Sequence, residues 1–132
     1  MTYDFVSWEN LNQRQHDQYV DLIGRVAAMP VKDMNQSLPK SYICLVCGEL
    51  SQEIVLLGDH AGLPFDVNEL VAFSGVRMYD YKGARTLQTA YLTVIERNPT
   101  KRDNVPEIPV ISPDEPRRKA IRMAPRNEIR VR

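Results

Sequence analysis

The sequence predicts an all-β fold, a small barrel closed from five strands, with a basic tail after it. Three observations lead there. Two β-branched and aromatic runs, residues 70–78 and 86–95, flank Tyr79-Asp80-Tyr81-Lys82-Gly83-Ala84-Arg85 and read as a long hairpin. Residues 41–47 and 53–57 make a second apolar pair around Gly48-Glu49. After Asn98-Pro99 the strand pattern stops, and prolines stand at 99, 106, 109, 113, 116 and 125. A barrel is the economical closure for five strands, because it leaves few open edges.

Taken in order, residues 2–10 read as an extended lead-in with Tyr3, Phe5 and Trp8 as packing residues. Residues 11–18 (LNQRQHDQ) are a polar loop or one helical turn. Residues 19–31 (YVDLIGRVAAMPV) are the first strand, with Gly24 marking a bulge or tight bend and Pro30 ending it. Residues 32–40 are a loop by composition. The hairpin over 41–57 supplies the second and third strands. Residues 58–68 (GDHAGLPFDVN) are short and Pro-broken, so they hold a short helix of one or two turns. The hairpin over 70–95 follows, with Asp80 and Gly83 as its turn residues. Five strands with a short helix between the third and fourth is the order of the oligonucleotide/oligosaccharide-binding barrel, the OB-fold. The domain spans 1–99. Residues 100–132 form a Pro-rich tether, reaching to about 116, and a basic, disordered tail.

A chain of 132 residues with 43% apolar content is one domain with a real core. Seventeen basic and seventeen acidic residues give zero net charge, but they are unevenly spread. Residues 1–97 hold 8 basic and 12 acidic residues, whereas residues 116–132 hold 7 basic and one acidic. A mildly acidic body therefore carries a basic tail. No apolar run nears the roughly 20 residues that span a bilayer, so no membrane partner is expected. The start, MTYDFVSWENLNQ, has neither the basic nor the apolar region of a signal peptide, so a reducing intracellular compartment is expected.

Chemistry-bearing constellations are sparse. Cys44-Leu45-Val46-Cys47 is a lone C-x-x-C, and a zinc site needs more ligands than that. In a strand, positions three apart also point to opposite faces, so both cysteines read as structural. His16 and His60 lack a ligand or triad pattern and read as structural or surface residues. Nothing resembles paired catalytic carboxylates, an activated nucleophile or a phosphate loop. The sequence predicts no enzyme, no cofactor and no metal.

Beyond these patterns, residues 3–99 resemble the DNA-binding OB domains of the replication protein A large subunit, most closely its second. The resemblance runs through Asp4-Phe5-Val6-Ser7-Trp8, Val20-Asp21-Leu22-Ile23-Gly24 and Val55-Leu56-Leu57-Gly58-Asp59-His60-Ala61, the last like the family's TLWGxxA. It continues through Gly75-Val76-Arg77-Met78-Tyr79-Asp80-Tyr81 (GARVSDF), Gly83-Ala84-Arg85-Thr86-Leu87 (GGRSL) and Asn98-Pro99. In that family, single-stranded DNA crosses the barrel between two loops. Its bases stack on aromatics of the third strand and of the hairpin before the last strand. By that resemblance Tyr81 is the hairpin aromatic, Arg77 the strand arginine, and Lys82 and Arg85 flank the tip. Lys32 and Lys40 bracket the first loop, which closes over the DNA in the family. The third-strand aromatic position is Leu57, which has no π-face.

The implied function is single-stranded DNA binding in replication, repair, recombination or telomere maintenance, in the nucleus and within a protein complex. A single RNA strand offers the same bases and phosphates. Each residue also has a plainer reading. Tyr81 can be a solvent-facing hairpin tyrosine, Arg77 an ion-pair partner of Asp80, and the lysines surface charges. Residues 41–57 are apolar on both faces, which predicts a covered outer face, whether by the lead-in and tail or by another protein. Leu57, the acidic body and that double-sided hairpin support a rival reading, a protein-interaction OB scaffold with little intrinsic nucleic-acid binding. The Pro116-Arg117-Arg118-Lys119 run is short for a nuclear-targeting patch.

Overall fold

The computed structural model describes residues 3–35, 37–100, 104–112 and 116–121. Its strands are β1 (Tyr19–Val26), β2 (Val31–Asp33), β3 (Lys40–Cys47), β4 (Leu50–Leu57), β5 (Leu70–Tyr81), β6 (Ala84–Gln88), β7 (Val94–Arg97) and β8 (Arg118–Lys119). Five of them close a ring. β1 pairs with β3 and β5, β3 with β4, and β5 with β6, all antiparallel. β4 then meets β6 in parallel through Ile54↔Leu87 and Val55↔Gln88. That is the predicted all-β fold in OB-fold order.

The details differ from the expectation in three places. The first strand stops at Val26, and Val31–Asp33 returns as a separate strand on the edge of β3, across the boundary between the stretches read as first strand (19–31) and loop (32–40). The short helix expected between the third and fourth ring strands is there as a single 3-10 turn, Gly58–Gly62, kept short by Pro64 and the short span. The last strand is split into β6 and β7 by a turn at Tyr91-Leu92. A 3-10 segment, Trp8–Gln13, fills the stretch read as lead-in and loop.

Inward side chains fill the ring: Leu22 and Val26 of β1, Ile43 and Leu45 of β3, Ile54 and Leu56 of β4, Val71, Phe73, Val76 and Met78 of β5, and Leu87 of β6. On β5 the inward positions switch from odd to even between Phe73 and Val76. The cause is a bulge. The β1–β5 register shifts between Val20 and Leu22, and Gly75 sits at φ +78° with its N–H donating to Asp21 Oδ1 at 3.0 Å. The bulge is thus at Gly75, not at Gly24. Gly24 is needed for close approach instead: a Cβ there would lie 2.9 Å from Trp8 Cζ2 and 3.0 Å from the Val46 carbonyl oxygen. Trp8 is pinned by its Nε1–H, which donates to the Ile23 carbonyl at 3.1 Å.

The stretch read as tether and tail is corrected wherever it is described. Ile108 is buried with Tyr3, Ile23 and Ala72 on the outside of β1 and β5, with Phe5, Leu70 and Val105 beside them. The Arg25 guanidinium ties this layer down, donating to the carbonyls of Ile108 (3.0 Å), Pro109 (3.1 Å) and Asn68 (3.0 Å). The cover expected over 41–57 therefore lies mainly over β1 and β5, reaching β3 at Cys47. Further on, β8 pairs in parallel with Leu50-Ser51 of β4, and Ile121 is buried in the ring core. Composition hid this because the buried residues Ile108 and Ile121 are far apart among prolines and charges, each filling one gap without a repeating period. The disorder predicted for 122–132 falls outside the described residues.

Candidate nucleic-acid interface

The β5–β6 hairpin turns through Lys82 (φ +50°) and Gly83 (φ +80°), the two-residue loop with positive φ at both positions that suits the right-handed twist of its strands. With Val76 and Met78 inside, the bulge turns Arg77, Tyr79 and Tyr81 outward on one face. They form a ladder. The Arg77 guanidinium lies 4.8 Å from the Tyr79 ring centre. Tyr79 and Tyr81 stack at 6.3 Å with rings 13° apart, and Lys82 Nζ lies 5.3 Å from the Tyr81 ring. Tyr81 is 57% exposed. Two stacked rings with a cation at each end of the stack match the needs of base stacking and phosphate neutralisation.

Arg85 does not join the ladder. It faces the other way, with Nε and Nη2 donating to Asp80 at 2.7 and 2.8 Å and Nη1 donating to the Asn12 carbonyl at 2.6 Å. Arg85 donating to Asp80 holds that carboxyl below the usual range, and Arg85 itself is raised by the same bonds. Arg85 therefore fastens the 3-10 segment to the hairpin. Arg77, in turn, pairs with Asp17 at 3.5 Å rather than with Asp80, and it donates to Gln88 Oε1 at 3.4 Å.

Below the ladder lies a groove of about 540 Å³ lined by Leu38, Leu57, Gly58, Asp59, His60, Arg77, Thr89, Ala90 and Tyr91. It brings Arg77 and Leu57 together. Leu57 lies opposite Lys40 in the β3–β4 pair, and Lys40 opposite Asp33 across β2–β3. Lys32 Nζ is exposed and donates to the Gly62 carbonyl at 3.5 Å, so it sits on the loop side of the same end of the ring. Tyr81 and Lys82 stand at the hairpin tip, four and five residues beyond Arg77.

Tyr91 was not among the sequence candidates, because residues 86–95 read as one continuous strand. Its signal is Tyr91-Leu92, two consecutive large apolar residues between Thr89 and Thr93, which breaks strand alternation. Tyr91 is 96% exposed and Leu92 82%. The turn carrying them is held by buried threonines. Thr89 donates its N–H to the Val55 carbonyl at 2.9 Å and accepts Leu57 N–H at Oγ1, also at 2.9 Å. Thr93 Oγ1 accepts Ala90 N–H at 2.7 Å and donates to the Gly75 carbonyl at 2.7 Å. His60 Nε2 donates to the Thr93 carbonyl at 3.2 Å, a carbonyl being only an acceptor.

Elsewhere, Cys44 and Cys47 are free and half-buried, and burial pushes both thiols up, away from the reactive thiolate. His16 Nδ1 accepts Asp80 N–H at 2.9 Å, leaving Nε2 toward Asp17 at 3.3 Å. Among the described residues no group of three or more His, Cys, Asp or Glu is arranged to hold a metal, and no helix is long and apolar enough to cross a membrane.

No protein-family model and no curated protein matches the chain. Solved structures do. A replication protein A heterotrimer bound to single-stranded DNA superposes with TM-score 0.62 and 24% identity, over 75% of this chain and 25% of that one. The chain thus spans about a quarter of the length of that relative. A replication factor A related protein from Methanobacterium thermoautotrophicum superposes with TM-score 0.56 and 10% identity, over 70% of this chain and 89% of that one. The Ifi202 HINa domain, in complex with a 20-base-pair duplex, gives TM-score 0.58 and 8% identity, over 72% of this chain and 47% of that one. With the ring order and the bulged fourth ring strand already established, the chain has the OB fold, and it shares that fold with these replication protein A structures.

Proposed function

We propose that this protein binds single-stranded DNA in the groove between the β1–β3 loop and the β5–β6 hairpin. The observation that carries this is the outward ladder of Arg77, Tyr79, Tyr81 and Lys82 running into a groove that also holds Arg77. Rings there give sequence-tolerant stacking, and the cations neutralise phosphate. Lys32 and Lys40 on the loop side add charge to the opposite rim. The protein acts within a larger nuclear complex in replication, repair, recombination or telomere maintenance, as the likeness to one chain of a heterotrimer suggests. A single RNA strand offers the same bases and phosphates to these groups.

The test is fluorescence anisotropy of the full chain with labelled oligo-dT and a matched duplex at two salt concentrations. Tighter binding to oligo-dT, with a log–log salt slope near −0.7 per phosphate contact, is the expected result. A second reading has its own support. Leu57 lacks a π-face, Arg77 is partly neutralised by Asp17, Tyr91 is exposed at the groove, and Leu92 is exposed next to it in the chain. These favour a scaffold that meets a protein there, and no oligo-dT binding at either salt concentration would select it.

A further inference from the structure

The family-type resemblance implies two stacking positions, and this chain keeps an aromatic at only one of them, Tyr81. We infer that Tyr91 is the second platform, replacing across the groove the ring that Leu57 cannot supply. The inference rests on the single-strand reading above and names its missing residue.

Three observations meet at Tyr91. It lines the same groove as Leu57 and Arg77. Its side chain is almost wholly in water, at 96% exposure, so its ring face is unused within the described chain. Yet its backbone is not loose. Thr89 and Thr93 are buried, and their side chains and backbone tie the turn to β4, to Gly75 on β5 and to itself. His60 fixes the far side of the turn through the Thr93 carbonyl. A ring on a rigid turn loses little entropy on contact, since only two side-chain torsions must be ordered. Exposure of an isolated tyrosine needs no explanation by itself. Exposure on a turn built by two buried threonines, beside an arginine and below an aromatic ladder, fits preorganised stacking.

The two platforms would receive different nucleotides of one strand. Tyr81 takes a base at the hairpin tip and Tyr91 takes one at the Leu57 end, with Arg77 between them for phosphate. Leu57 then forms an apolar floor rather than a stacking face, and Leu92 extends the apolar edge.

The experiment uses the full chain with oligo-dT, comparing wild type with Tyr91→Ala, Tyr91→Phe and Tyr91→Trp at two salt concentrations. Tyr91→Ala is expected to weaken binding about 5- to 150-fold, one stacked base, with the salt slope unchanged because no phosphate contact is lost. Tyr91→Phe should bind like wild type. Tyr91→Trp should bind at least as tightly, with its emission quenched on oligo-dT addition; Trp8, the natural tryptophan, is buried and serves as the fold control. If wild type binds oligo-dT and Tyr91→Ala binds equally well, Tyr91 is no platform and the single-strand reading survives without it. A change in salt slope for Tyr91→Ala would also overturn the stacking role. If wild type itself does not bind, both readings fall together.

Discussion

At the scale of single residues, the candidate interface separates cations that are free to act from those already committed. Arg85 is spent on Asp80 and Asn12, whereas Arg77 makes only longer polar contacts, to Asp17 at 3.5 Å and to Gln88 at 3.4 Å. Arg77→Gln should therefore flatten the salt dependence of oligo-dT binding by about 0.7 in slope, and Arg85→Gln should leave the slope unchanged while lowering stability. Leu57→Trp is expected to strengthen oligo-dT binding by up to ~1–3 kcal/mol, and Tyr81→Ala to weaken it by a similar amount. Both are measured by anisotropy, with circular dichroism to confirm folding. No change in either variant would remove the hairpin as a stacking surface. Gly24→Ala addresses packing alone. The added methyl meets Trp8 and the β3 backbone below 3.1 Å, so urea denaturation should show a loss of about 1–3 kcal/mol.

At the scale of elements, the C-terminal segment belongs to the fold. β4 meets β6 only at Ile54 and Val55, so its first half would present an open edge. β8 occupies that edge at Leu50-Ser51, with Arg118 N–H donating to Glu49 at 2.9 Å and Ala120 N–H to Ser51 at 2.8 Å. Ile121 then closes the core, and its N–H donates to Gln52 Oε1 at 3.1 Å. Ile121→Ala should cost about 2–4 kcal/mol, the range for truncating a buried aliphatic side chain, seen as a fall of several degrees in Tm. An unchanged Tm would mean that the segment detaches freely. The basic pair Arg118-Lys119 sits at the end of β4 away from Leu57, about 23 Å along the strand at ~3.3 Å per residue. Its charge therefore reaches a bound strand only if the strand extends past the groove.

For the whole molecule, an ion pair between the buried Glu69 and the partly exposed Arg97 fastens the ring where β5 begins and β7 ends. The Glu69 carboxylate, 3% exposed, accepts from Arg97 Nε at 2.6 Å and Nη2 at 2.8 Å, from Asn98 Nδ2 at 3.0 Å and from Asp66 N–H at 2.8 Å. The Arg97 bonds, first of all, hold the Glu69 carboxyl below the usual range. A carboxyl depressed in the folded state contributes stability above its unfolded pKa of about 4.3, and that stability is lost as pH falls through the depressed folded value. Melting curves of wild type and Glu69→Gln should accordingly differ most near neutral pH and converge in acid below about pH 4. Asp80, depressed by Arg85, adds to acid sensitivity with the same sign. A gap that widens in acid would contradict this account.

The amino-acid sequence by itself determined the strand composition, the hairpin tip and the five-stranded OB order, because β-branched runs and Gly-containing turns act locally. Local chemistry also put Arg77, Tyr81 and Lys82 on one hairpin. Only the tertiary structure decided which of these face the groove. The Gly75 bulge, stabilised by Asp21 from another strand, shifts the parity of β5 and turns Arg77, Tyr79 and Tyr81 outward. Asp80 lies next to Tyr81 in sequence, yet it captures Arg85 across the strands and removes it from the interface. Tyr91 lies inside an apparent strand, and only hydrogen bonds to β4 and β5 bend it into an exposed turn beside Leu57. Val105, Ile108 and Ile121 were illegible for the same reason: each fills a gap formed by residues distant in the chain, and a gap of that kind leaves no period in the sequence that fills it.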